Sequence, residues 1–267
     1  RVFSPRALPL GQPLCPMDGE GQVGPGPQLG RWLKERGRTI CSDHAGFYGW
    51  NTMRDLAMGI ALAAPLANTS MDHNFRNWWQ EDVRSTGTDD LAAFWKPFGE
   101  GVIFIPAMAC LGLAGHAMSD WPMFDVCGEF GERATRSYLV GAPPMLLMQA
   151  MLGASRPGET TAESRWKPFD DNNAVSGHAF IGAVPFLTAA HMTENRAARA
   201  LFYFGSICPA WSRVNDDAHY LSQVVLGWYM AYLACRSVDG TQRGEEPLSL
   251  VPLAYHEFTG VGLVWCR

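Results

Sequence analysis

Three short blocks along the chain hold residue types that can grip a tetrahedral oxyanion and attack it. They are Arg156-Pro157, then Ser176-Gly177-His178, then Ser212-Arg213 with His219 six positions beyond the arginine. A guanidinium is permanently charged and gives paired hydrogen bonds to phosphate oxygens, which suits Arg156 and Arg213 to binding. An imidazole near neutral pH can act as nucleophile or exchange a proton, the chemistry open to His178 and His219. Ser176 and Gly177 stand just before an apolar run at 179–190. That order predicts a helix N-terminus, whose free N–H groups and dipole favour an anion. Gly177 lets the backbone approach such an anion closely. Gln223 lies one helical turn after His219, on the same face.

Holding these groups together calls for helices. Six apolar stretches, at about 56–71, 101–119, 137–155, 178–193, 199–211 and 219–235, are rich in alanine, leucine and methionine. That content favours helix over strand. Pro65, Pro106, Pro143, Pro144 and Pro185 fall inside them and predict kinks or shortened helices. The expected fold is all-α, a bundle of about six core helices with the pocket at the helix ends. Residues 1–30 hold six prolines and six glycines without apolar periodicity. They read as an extended arm that wraps the domain or a partner, a route to an oligomer. Residues 31–246 form the helical domain, with a short helix expected over Trp32–Arg38, and 247–267 a tail with a short strand near 260–265.

A net charge of -5 with dispersed basic residues excludes a nucleic-acid binder. With only 18% charged residues the chain is not globally disordered. No cysteine pair has zinc-ligand spacing, so no metal is expected. Cys15, Cys41, Cys127 and Cys266 lie outside the most apolar runs and are candidates for disulfides, whereas Cys110, Cys208 and Cys235 read as core residues. The apolar stretches are diluted by Gly, Ser, Gln, His and Pro, and mean hydropathy is -0.07. These features favour a bundle that is water-soluble or rests against a membrane surface over one that spans it. The chain opens at Arg1 rather than at methionine, which reads as processing or truncation; removal of a signal peptide would fit the expected periplasmic, secreted or other cell-envelope location.

The order and spacing of the three blocks resemble the type 2 phosphatidic acid phosphatase and vanadium haloperoxidase superfamily. Its pattern is K-x6-R-P, then P-S-G-H, then S-R-x5-H-x3-D, and the resemblance covers about Gln149 to Leu226. The resemblance implies that His219 attacks phosphorus to form a phosphohistidine. His178 then protonates the leaving oxygen and later activates water. Arg156, Arg213, Ser176 and Gly177 would hold the phosphate without a metal or other cofactor, and vanadate could take its place as an analogue. The implied substrate is a phosphomonoester or diphosphate, either small or lipid.

Two positions depart from that pattern. Gln149, which can still hydrogen-bond a phosphate oxygen, stands where the family has lysine, and Gln223, whose carbonyl can accept the N–H of the nucleophile, where it has aspartate. Lys167 is a candidate to replace the first charge, and Asp216 or Asp217 the second. Neutralising the carboxylate of an analogous catalytic triad costs roughly 10⁴-fold in turnover. The competing readings are therefore a degenerate, non-catalytic member acting as a binding or structural subunit, and a vanadate-dependent haloperoxidase.

Overall fold

The computed structural model describes residues 25–118, 120–159, 163–244, 249–255 and 258–264. The helices run α1 (Pro25–Phe47), α2 (Trp50–Asn68), α3 (Met71–Trp78), α4 (Thr86–Trp95), α5 (Gly101–Ala117), α6 (Pro122–Leu152), α7 (Gly177–Met192), α8 (Arg196–Asn215) and α9 (Leu221–Gln242). A π-helical turn, Trp79–Val83, follows α3, and a 3₁₀ turn, Lys96–Gly99, joins α4 to α5. A two-stranded antiparallel hairpin, β1 (Ser249–Tyr255) and β2 (Phe258–Val264), closes the described chain.

The architecture is the helical bundle that the apolar stretches predict. All six stretches are helical, as α2 and α5 to α9. The prolines shorten none of these helices: α6 continues through Pro143 and Pro144 for 31 residues. Packing accounts for this, since Pro144 and Pro185 are buried in α6 and α7 and contacts there offset the lost hydrogen bonds. The helix expected at Trp32–Arg38 is longer than foreseen, because α1 starts at Pro25. Residues 25–30, expected to be arm, are its first turns, and residues 1–24 lie outside the described residues. The strand expected near 260–265 falls largely within β2.

The core lies between α6, α7 and α9, where Val140, Phe180, Val184, Leu187, Met230 and Leu233 are fully shielded. Helix α7 is apolar on all sides and buried along most of its length, as a central helix must be. Below the core, Arg136 of α6 gives Asp43 of α1 two hydrogen bonds of 2.7 Å. Both residues are buried, so the pairing offsets the cost of desolvating two charges.

Helix α5 is equally apolar all round, yet Val102, Ile103 and Leu113 point outward, as do Leu201, Phe204 and Ile207 of α8. Among the described residues no single helix is long and apolar enough to cross a membrane. The pair Thr86–Gly99 and Gly101–Ala117, bent by 54°, passes that test only together. Cys41 and Cys127 are free thiols, Cys208 and Cys235 are buried as expected, and Cys110 is exposed on α5 rather than in the core. Cys15 and Cys266 lie outside the described residues.

Candidate active site

The third block is built where α8 gives way to α9. Arg213 lies in the last turn of α8 and His219 in the short connection, which is braced from distant sequence. Arg76 grips Asp217 through two hydrogen bonds of 2.6 and 2.5 Å. Gln80 donates to the Val214 carbonyl at 2.9 Å, and the Trp79 indole N–H donates to Asn215 Oδ1 at 3.3 Å. Asp217 adopts φ 55°, a left-handed conformation that non-glycine residues seldom hold without such support.

Asp72 of α3 caps the N-terminus of α9. Its carboxylate accepts from the Ser222 N–H at 3.0 Å and from the Ser222 hydroxyl at 2.5 Å. Burial holds its pKa above the ordinary carboxylate range, against the opposing hydrogen bonds from Ser222 and Ser164. Asp72→Ala would leave the buried Ser222 donors unpaired. It should lower stability by about 1–3 kcal/mol, read as a lower urea midpoint at unchanged m-value.

His219 is buried, and its Nδ1 lies 2.8 Å from Gln223 Oε1. The same oxygen accepts the Tyr220 N–H at 3.2 Å, while Gln223 Nε2 donates to the Ser155 carbonyl at 2.7 Å. One backbone donor and one backbone acceptor thus fix which way the amide faces. An acceptor oxygen faces His219, so Nδ1 must carry the ring proton and Nε2 the lone pair. Burial is the main force pushing the His219 pKa down to about 3. The Gln223 hydrogen bond opposes it, and the charges of Arg156, Arg213 and His178 reinforce it. At neutral pH His219 is therefore an uncharged imidazole with its nucleophilic nitrogen free of hydrogen.

The second block caps α7 as its sequence predicts. Ser176 Oγ accepts from the Ala179 N–H at 3.3 Å, which leaves the hydroxyl proton for a ligand. Helix α9 presses closely here: a Cβ on Gly227 would come within 2.3 Å of the Ser176 carbonyl oxygen. A Cβ on Gly177 would meet nothing nearer than Gln149 Nε2 and Met145 Cε, both at 4.0 Å, so the protein leaves this stretch of backbone uncrowded. His178 Nε2 lies 3.2 Å from Glu100 Oε1. Burial and the nearby Arg213 lower the His178 pKa, Glu100 works against them, and Lys96 adds to the lowering.

The first block follows α6. That helix ends at Gly153 with φ 65°, where a side chain would collide with the Lys167 carbonyl. The turn delivers Arg156, whose Nε donates to Asn173 Oδ1 at 2.8 Å. Gln149 donates to the Val175 carbonyl at 2.7 Å, so it braces the entry to α7 and brings no charge.

The structure thus brings Arg156, Arg213, Ser176, Gly177, His178, His219, Gln149 and Gln223 to one end of the bundle. Three expectations need correction. Lys167 is exposed, and among the described residues no interaction joins its side chain to the site. Asp217 is committed to Arg76, and Asp216 to Arg213 and Lys96 at 3.4 Å each. Neither aspartate supplies a carboxylate to His219, because these cations engage them instead. Sequence reading also missed Asp72, Lys96, Glu100 and Asn173, none of which belongs to the three blocks. Among the described residues no group of three or more His, Cys, Asp or Glu side chains is placed to hold a metal ion.

The PAP2 superfamily model matches residues 143–239, a span that contains all three blocks. No curated protein and no solved structure matches the chain. That span supplies α7, α8, α9 and the side chains gathered at their ends, so the similarity to the PAP2 superfamily falls on the part of the chain that builds the site.

Proposed function

We propose that the chain is a phosphatase that hydrolyses a phosphomonoester through a phosphohistidine on His219. The observation that carries this reading is the state of His219. It is neutral, with Nδ1–H held by Gln223, and Arg156 and Arg213 lie within electrostatic reach. In the first step Nε2 attacks phosphorus as the bond to the leaving oxygen breaks, and His178 gives that oxygen a proton. In the second, water attacks the phosphohistidine, His178 takes the water's proton, and inorganic phosphate leaves with His219 restored. The two guanidinium groups and the N-terminal amides of α7 neutralise charge on the transferring oxygens.

The reading extends to a lipid phosphate. Glu100 marks the side of the pocket where His178 meets the leaving group, and Val102 and Ile103, just beyond it, are 85% and 56% exposed. Apolar surface at that edge suits an apolar alcohol and supports a reading in which the enzyme works against a membrane surface of the cell envelope. Rapid acid-free quenching with a radiolabelled aryl phosphate, followed by peptide mapping, should yield an acid-labile phosphoramidate on His219. A protein that binds phosphate yet releases none and forms no such adduct would instead be the non-catalytic binding subunit.

A further inference from the structure

We infer that Lys96 is a phosphate-binding residue of this site, supplying from the 3₁₀ turn before α5 the cation that Gln149 does not supply from α6. The inference rests on the phosphate pocket proposed above. The turn itself is fixed by backbone contact. A Cβ on Gly99 would lie 2.7 Å from His178 Cδ2 and 2.9 Å from the His178 carbonyl oxygen, so Lys96–Gly99 sits directly on the first turn of α7. That placement brings Lys96 to the same end of the bundle as the three blocks.

The charges around Lys96 are incompletely matched. Its Nζ is 3.4 Å from Asp216 Oδ2, and Arg213 Nη1 is 3.4 Å from the same oxygen. Charge-assisted N–H···O contacts normally close to about 2.7–2.9 Å, so one carboxylate oxygen is shared loosely between two cations. Arg213 Nε is buried and, among the described residues, has no hydrogen-bond partner. The other carboxylate nearby, Glu100, is engaged by His178. A phosphate dianion between Lys96 and Arg213 would give both cations short contacts and Arg213 Nε an acceptor. The lysine has the freedom to respond, since its side chain is 47% exposed and the stem is flexible. The Lys96 charge also bears on His178, which places the ammonium near the proton donor as well as near the anion-binding arginine.

Titration calorimetry at low salt with inorganic phosphate, and separately with orthovanadate, tests this without requiring turnover. Lys96→Met should weaken both ligands at least about tenfold. Lys96→Arg, which keeps the charge, should stay within about threefold of the parent. Lys167→Met, on the exposed loop, should bind like the parent. Thermal melts of each protein confirm the fold, and Lys96→Gln serves as a second neutral variant should the methionine protein melt early. Parent-like affinity in the neutral variants would overturn the role of Lys96 and leave the pocket standing. Failure of the parent itself to bind either anion would overturn both.

Discussion

Alanine at position 219 should lower kcat on an aryl phosphate by between about 10³- and 10⁶-fold while the protein stays folded, as losing a covalent nucleophile does elsewhere. Initial rates of phosphate release by purified parent and His219→Ala check this, and equal rates would sink the phosphohistidine route. A second signature separates His219 from a merely structural histidine. Its folded pKa is about 3 against an ordinary value of 6.5. Because the folded pKa is depressed, the unfolded chain binds the extra proton over that interval, so stability is full above about pH 6.5. It is then lost as pH falls towards 3. His219→Ala removes this contribution, so between pH 7 and pH 4 its denaturation midpoint should fall less than that of the parent.

Position 223 should have the next largest effect. Gln223→Met keeps the length of the side chain but removes every polar contact it makes. The buried Ser155 carbonyl, Tyr220 N–H and His219 Nδ1 would then lack their partner. Each unpaired group costs about 1–3 kcal/mol, and loss of the tautomer lock should reduce kcat by about 10²- to 10⁴-fold. Gln223→Glu acts differently. One carboxylate oxygen can keep the bonds to His219 and Tyr220, but the other would face the Ser155 carbonyl, acceptor against acceptor, where the amide now donates at 2.7 Å. Stability should fall. The added negative charge favours the imidazolium, so the His219 pKa should rise. The acid limb of the kcat/KM profile should therefore move to higher pH. A methionine variant with parent-like turnover would remove Gln223 from the mechanism.

The sequence showed the glutamine as a loss, and half of that concern dissolves in the structure. A carboxylate in that place would do two things: select the Nδ1–H tautomer and stabilise positive charge on the ring. Gln223 performs the first, because backbone groups of Tyr220 and Ser155 dictate its orientation. It performs the second only weakly, through a hydrogen bond that carries no charge. The hydrogen-bond partners that settle this point are backbone atoms, and a sequence does not display where backbone atoms meet.

The helices were legible for a simple reason: long apolar runs must be buried or paired, and each became a helix around α7. Helix α1 was legible only in part. Its apolar positions are few, and glycines and arginines interrupt them. The site residues outside the blocks were hidden by distance. Asp72 sits in a polar segment that looks like any exposed turn, and its role appears only when Ser222 arrives 150 positions later. Lys96 and Glu100 flank a Pro-Phe-Gly segment that reads as a loop. What makes them part of the site is the collision that any residue larger than Gly99 would have with His178.

Gln223 also touches each of the three blocks. Its amide holds Ser155 beside the first, its main-chain carbonyl accepts the Ser176 N–H at 2.9 Å in the second, and its side-chain oxygen holds His219 in the third. Ser155 and Ser176 lie far from Gln223 along the chain, so these two contacts each close a long loop whose entropy cost is met only when the other is also in place. The pocket should therefore not persist in a partly assembled form. Its appearance during folding should be a single late event, coincident with the docking of α9 rather than spread across the collapse of the bundle.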